Sequence, residues 1–111
     1  ISQCIAKDSV FIQINYLPCN KENIYIPNAF TPNGDGINDI FYVRSNILKN
    51  IHLEIYDRWG NKVFETDNIT DGWDGSYKGQ PATPDSYGYF IKGECIQNEK
   101  ITLKGNVTLI R

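Results

Sequence analysis

"IHLEIYDRWGNKVFE", residues 51–65, decides how the chain folds. Ile51, Leu53 and Ile55 alternate with His52, Glu54 and Tyr56, and a second run resumes at Lys62. Alternation with a period of two is the pattern of a strand with one buried face. Between the runs stands Gly60-Asn61, and a glycine able to take positive φ there predicts a tight hairpin. Trp59, at the hairpin end, is expected to pack over the edge of the sheet.

The same period recurs outward in both directions. Val10, Ile12, Ile14 and Tyr16 alternate with Phe11, Gln13 and Asn15. Ile101, Leu103, Gly105, Val107 and Leu109 alternate with Lys100, Thr102, Lys104, Asn106 and Thr108. No window holds a 3.6-residue stripe, so strands are predicted near 9–16, 23–28, 40–45, 51–58, 61–66, 86–95 and 99–110. About seven short strands separated by Gly, Pro, Asn and Asp predict an immunoglobulin-like antiparallel β-sandwich. Residues 1–20 read as the last strand of a preceding immunoglobulin-like or PKD-like repeat plus a linker, which leaves 21–111 as the domain proper. With no initiator Met, the sequence is expected to be a fragment or processed piece of a longer protein.

Composition narrows the partners. The 111 residues are 41% hydrophobic with a formal charge of -2, enough apolar side chains for one core and no basic surplus for nucleic acid or anionic membrane. No apolar run approaches the ~18 residues of a membrane span. The three cysteines, Cys4, Cys19 and Cys95, lack the clustered spacing of a zinc site. In an oxidising compartment Cys19 and Cys95 could pair, closing a loop of about 75 residues worth roughly 4 kcal/mol. Free buried thiols are the alternative, and Cys4 is left over either way.

An enzyme needs a constellation of reacting groups, and none assembles here. The single histidine, His52, falls in mid-strand on the polar face, and no GxSxG, HExxH or phosphate-binding loop occurs. The stretch "TPNGDGIND", residues 31–39, is the one that raises a metal question. Asn33, Asp35, Asn38 and Asp39 offer hard oxygen donors, so Ca²⁺ held by Asp35 and Asp39 is chemically reasonable. An EF-hand register fails, because Arg44 falls where the bidentate Glu belongs. The preferred reading is a structural turn in which Pro32 fixes φ, Gly34 and Gly36 take positive φ, and Asn and Asp bond the backbone. Asp71, Asp74 and Asp85 around Trp73, Tyr87 and Tyr89 raise a rival function, a Ca²⁺-dependent adhesin or carbohydrate-binding module using Asp35, Asp39, Trp73 and Tyr87.

Five motifs occur in one order: "IPNAFTPNGDGINDIF" at 26–41, "LEIYDRWGNKVFE" at 53–65, "DGWDG" at 71–75, "PDSYGYFI" at 84–91 and "KGNVTLIR" at 104–111. Together they resemble the gliding-motility-associated C-terminal domain, the type B sorting domain of the type IX secretion system of Bacteroidetes. The resemblance implies a non-catalytic β-sandwich that directs an exported cargo from the periplasm through the outer membrane to the cell surface or medium. It implies as partners the translocon and an outer-membrane protein of the PorP/SprF-like family. The contacts expected from the matching motifs are Asn33, Asp35 and Asp39, then Arg58, Trp59 and Asn61, and finally Lys104 and Arg111 on the last strand. That strand would present its backbone at a sheet edge.

Overall fold

The computed structural model of the chain describes residues 18–34, 36 and 39–111. The expected strand at 9–16, and with it the assignment of 1–20 to a preceding repeat, lies almost wholly outside the described residues. What is described is all-β. A five-stranded sheet runs in the order β2 (Ala29–Phe30), β9 (Lys100–Leu109), β8 (Asp85–Cys95), β4 (Leu48–Tyr56), β5 (Lys62–Thr66). Short ladders, β1 (Ile24–Tyr25) with β3 (Arg44–Ser45) and β6 (Ser76–Tyr77) with β7 (Gln80–Pro81), accompany it, together with a single bridge between Phe41 and Trp73.

The main sheet follows from the alternation. Cross-strand rows place Leu53 beside Ile91 and Ile91 beside Leu103, while Ile55, Tyr89 and Gly105 form the next row. Ile51, Leu53, Ile55, Tyr87, Ile91, Cys95, Val107 and Leu109 are buried and meet Ile24, Phe30, Phe41, Val43, Ile47 and Trp73 from the segments outside the three long strands. Each large side chain removed from water contributes about 1.5–3 kcal/mol, and their number makes this one core. Gly105 is required by it: a Cβ there would lie 2.6 Å from Cζ of Tyr89, whose ring covers the position.

Three expectations need correction. The described residues hold nine strands where about seven were expected along the whole chain, because five of the nine are only two residues long. The predicted strand at 23–28 breaks at Pro27, which has no N–H to give to a ladder; the chain changes sheets there, β1 pairing with β3 and β2 with β9. The β2–β9 pair is parallel, so the sheet is not purely antiparallel. The β6–β7 hairpin was missed. Its turn, Lys78-Gly79, has positive φ at both residues (54° and 79°), the geometry that matches strand twist in two-residue hairpins.

Cys19 and Cys95 are joined by a disulfide, with Cα atoms 6.0 Å apart. It ties the segment entering β1 to the end of β8. Cys4 lies outside the described residues.

Candidate recognition surface

Four segments distant in sequence converge at one end of the sandwich. The hairpin between β4 and β5 is closed by Gly60 N–H donating to Asp57 O (3.1 Å) and Asp57 N–H donating to Asn61 O (2.9 Å). Gly60 has φ +83°, so the tight turn runs through Arg58, Trp59 and Gly60, and Asn61 falls just outside it. Asp57 clamps the tip: its Oδ1 accepts from the N–H groups of Trp59 and Asn61, both at 2.9 Å, and Oδ2 accepts from Asn61 Nδ2 at 3.0 Å. Partial burial opposes ionisation of Asp57. The donors from Asn61 and Trp59 outweigh it and lower the pKa.

Arg58 reaches across to the start of β8, its Nη2 2.7 Å from Asp85 Oδ1. The Ser86 N–H and then this guanidinium hold the Asp85 carboxyl below its usual range. Asp85 is in turn the cross-strand partner of Leu109, which brings the last residues to the same end. Asp57, Arg58, Trp59, Thr83, Asp85 and Tyr87 line a shallow cleft of about 300 Å³ beside the hairpin.

Trp59 is 79% exposed. The expected packing role over the sheet edge is therefore wrong, because the turn aims the indole into solvent. The other tryptophan is its opposite. Trp73 is 1% exposed, stacks edge-on against Tyr87 (4.9 Å between centroids) and lies 5.5 Å from Phe30. Its Nε1 donates to Ser76 O at 2.8 Å. Tyr87 is also buried, its hydroxyl donating to Thr83 O at 2.5 Å. The sugar-gripping surface imagined around Trp73 and Tyr87 is consequently interior, with no aromatic face left to stack on a ligand.

The 31–39 loop joins this end through Pro32. Asp39 accepts three backbone N–H groups: Asn33 (3.2 Å) and Gly34 (3.1 Å) on Oδ1, and Gly36 (2.7 Å) on Oδ2. Gly34 and Gly36 both have φ +80°. Both Asp39 oxygens thus accept from backbone N–H groups, an arrangement that closes a turn. Asp35 and Asn38 lie outside the described residues.

Arg111 does not extend into solvent as a free contact. Its guanidinium donates to the carbonyls of Ala82 (3.1 and 3.0 Å), Gly75 (2.8 Å) and Pro32 (3.3 Å), pinning three loops together. The spacing of "KGNVTLIR" carries no sign of this, since the acceptors lie 29 to 79 residues away. Lys104 stands apart, exposed on the outward face opposite Phe90, some five residues and about 17 Å along β9 from Leu109. The β9 edge is covered by β2 only at Thr108 and Leu109, so of the described residues none in the β-ladders pairs with its outer edge over 100–107.

The fold and this end define a small β-sandwich whose most exposed large hydrophobic side chain, among the described residues, sits on a hairpin clamped by Asp57. The chain matches the sequence model of the type IX secretion signal domain (CHU_C) over residues 24–109, and it belongs to that family. This is a secretion-signal family and not an enzyme family; the chain carries a sorting signal for export by the type IX system toward the cell surface or medium. Comparison with curated proteins gives no match.

Proposed function

We propose that the domain is read as a folded address by an outer-membrane partner of the PorP/SprF-like family, which hands its cargo from the periplasm to the type IX translocon. The Arg58–Asn61 hairpin is the principal contact, flanked by the Asn33–Asp39 loop and the start of β8. One observation supports this above the others: a tryptophan exposed to 79% on a turn whose backbone is clamped by Asp57. Exposed aromatics on preorganised backbone are the side chains that dominate binding energy at protein interfaces, because little entropy is lost on docking. Arg58, tethered to Asp85, frames the indole with a fixed charge.

The test is a secretion assay. A fluorescent protein carries a periplasmic signal at one end and residues 1–111 at the other, in a type IX-competent host and in the same host lacking the translocon. Export is expected only in the competent host, and Trp59→Ala is expected to lower it about tenfold or more, in the range of a hot-spot loss. The variant must melt like the parent. Undiminished export of a folded Trp59→Ala protein would move the contact elsewhere, with the outer face around Lys104 next in line.

A further inference from the structure

On the outward face of the main sheet, away from the hairpin end, β4 and β5 bring together His52, Glu54 and Glu65. Glu54 and Glu65 are direct cross-strand partners, and His52 precedes Glu54 by two residues on the same face. His52 Nε2 lies 2.8 Å from Glu54 Oε2 and 3.2 Å from Glu65 Oε2. One donor atom from each residue falls within 4.8 Å of the others. The remaining ring nitrogen, Nδ1, is 2.6 Å from Asp67 Oδ1.

The cluster is short of positive charge. Carboxylates placed directly opposite one another across strands repel, and Asp67 adds a third. Lys62 is the cation closest in the cluster, 3.0 Å from Glu65 Oε1 and 3.8 Å from Glu54 Oε2, while the Tyr56 hydroxyl donates to Glu54. Lys92, the cross-strand neighbour of His52 on β8, holds its ammonium over the Phe90 ring. An imidazole that gives its Nδ1–H to Asp67 turns the Nε2 lone pair toward two carboxylate oxygens. Three acceptors then face one another with no hydrogen between them. Only a proton on Nε2 or a bound cation resolves that.

We propose that His52 Nε2, Glu54 and Glu65 bind a divalent first-row transition-metal ion of the Zn²⁺ kind, with Asp67 positioning the imidazole from behind. Ligand atoms about 2.0–2.1 Å from such an ion, at angles of 90° to 109°, lie about 2.9–3.4 Å from one another. The two observed nitrogen–oxygen separations already fit to within about 0.1 Å. A carboxylate on the non-ligating nitrogen is the usual device that fixes the tautomer and orients the ring. One imidazole with two carboxylates suits Zn²⁺, Co²⁺, Ni²⁺ or Mn²⁺, whereas Ca²⁺ prefers an all-oxygen shell. Three protein donors leave a position for water. Proton and metal compete for Nε2.

The experiment uses the 111-residue chain with its disulfide intact and Cys4→Ser to remove a competing thiol. ZnCl₂, and separately CaCl₂, is titrated at pH 7.5 and followed by calorimetry and by ring-nitrogen NMR. The chain has one histidine, so the ring signals need no assignment. One Zn²⁺ per chain is expected, with a displaced Nε2 resonance and no response to Ca²⁺. His52→Gln and Glu65→Gln should each weaken binding at least tenfold, and Asp67→Asn by about 10–100-fold. Lys62→Gln, which removes the competing ammonium, should tighten it. Nε2 resonances unmoved by millimolar Zn²⁺ would overturn the proposal. So would undiminished Zn²⁺ binding by folded His52→Gln or Glu65→Gln.

Discussion

Reducing the Cys19–Cys95 disulfide should remove a large share of the stability of the domain. The bond spans 76 residues, and the chain-entropy relation assigns a loop of that length about 4.5 kcal/mol at 25 °C. A domain of this size is stable by roughly 5–15 kcal/mol, so the loss is about a third of the upper figure and nearly all of the lower one. With a urea m-value near ~1.5 kcal/mol/M, the midpoint should fall by about 3 M. The comparison is best made on one protein, Cys4→Ser, oxidised and then reduced with a phosphine, since replacing the buried Cys95 would add a packing loss of its own. The folded contacts are the same in both forms and the difference lies in the freedom of the unfolded chain. Stopped-flow traces should therefore show slower refolding on reduction and little change in unfolding, provided the loop closes before the transition state. A midpoint shift under ~0.5 M would refute the reasoning, because the cross-link would then be removing far less freedom from the unfolded chain than closure of a 76-residue loop requires.

Asp39→Ala removes the acceptor for three N–H groups in a water-accessible loop, and should cost about 1–2 kcal/mol in a denaturation midpoint. The structural-turn reading of the loop leads us to expect equal melting of the parent in calcium and in chelator; a calcium-dependent rise would favour Asp35 and Asp39 as ligands. Arg111→Ala should cost a similar ~1–2 kcal/mol, and Arg111→Lys should recover only part of it, because an ammonium lacks the planar fork that reaches Ala82, Gly75 and Pro32 together. For pH, a histidine raised above its ordinary 6.5 by Glu54 and Asp67 contributes stability that is present below 6.5 and lost as pH rises through the raised value. Urea midpoints in chelator should therefore decline over that alkaline-going window in the parent and lose this slope in His52→Gln. Glu54, lowered by Tyr56 and then His52, acts with the opposite sign, its contribution present above 4.5 and lost as pH falls through the depressed value.

The long strands were legible because each buries one face, so Ile51, Leu53 and Ile55 had to alternate with polar residues. The short ones were not. Ile24–Tyr25 and Ala29–Phe30 look like one strand until Pro27 is seen to send them to different sheets, and two-residue strands carry no period to detect. Lys78-Gly79 was a readable hairpin signal, masked by the Pro and Asp around it. Trp59 and Trp73 carry the same side chain in similar Gly- and Asp-rich company, yet one is 79% and the other 1% exposed. Nothing local separates them. Trp73 is interior because its bridge to Phe41 places it among Phe30 and Tyr87, contacts separated by tens of residues. His52 was placed correctly on the polar face, but Glu65 and Asp67 reach it only through the β4–β5 register, which composition does not state.

That register matters for separating address from scaffold. Asp39 and Asp57 lie within the region that matches the family and Arg111 two residues beyond it, and each spends its side chain on backbone groups of its own chain. A secretion defect after mutating any of them would report a loosened fold as readily as a lost contact. Trp59 is different: its indole adds nothing to the core, and the turn beneath it is held by Asp57 and Gly60 whether or not the ring is present. Arg58 shares its charge with Asp85 and is an intermediate case. Graded export, lost at Trp59 with melting unchanged and lost at Asp57 or Arg111 only in step with melting, is the pattern a folded address requires. An unfolded, linear signal would instead tolerate Arg111→Ala and the reduced disulfide without loss of export.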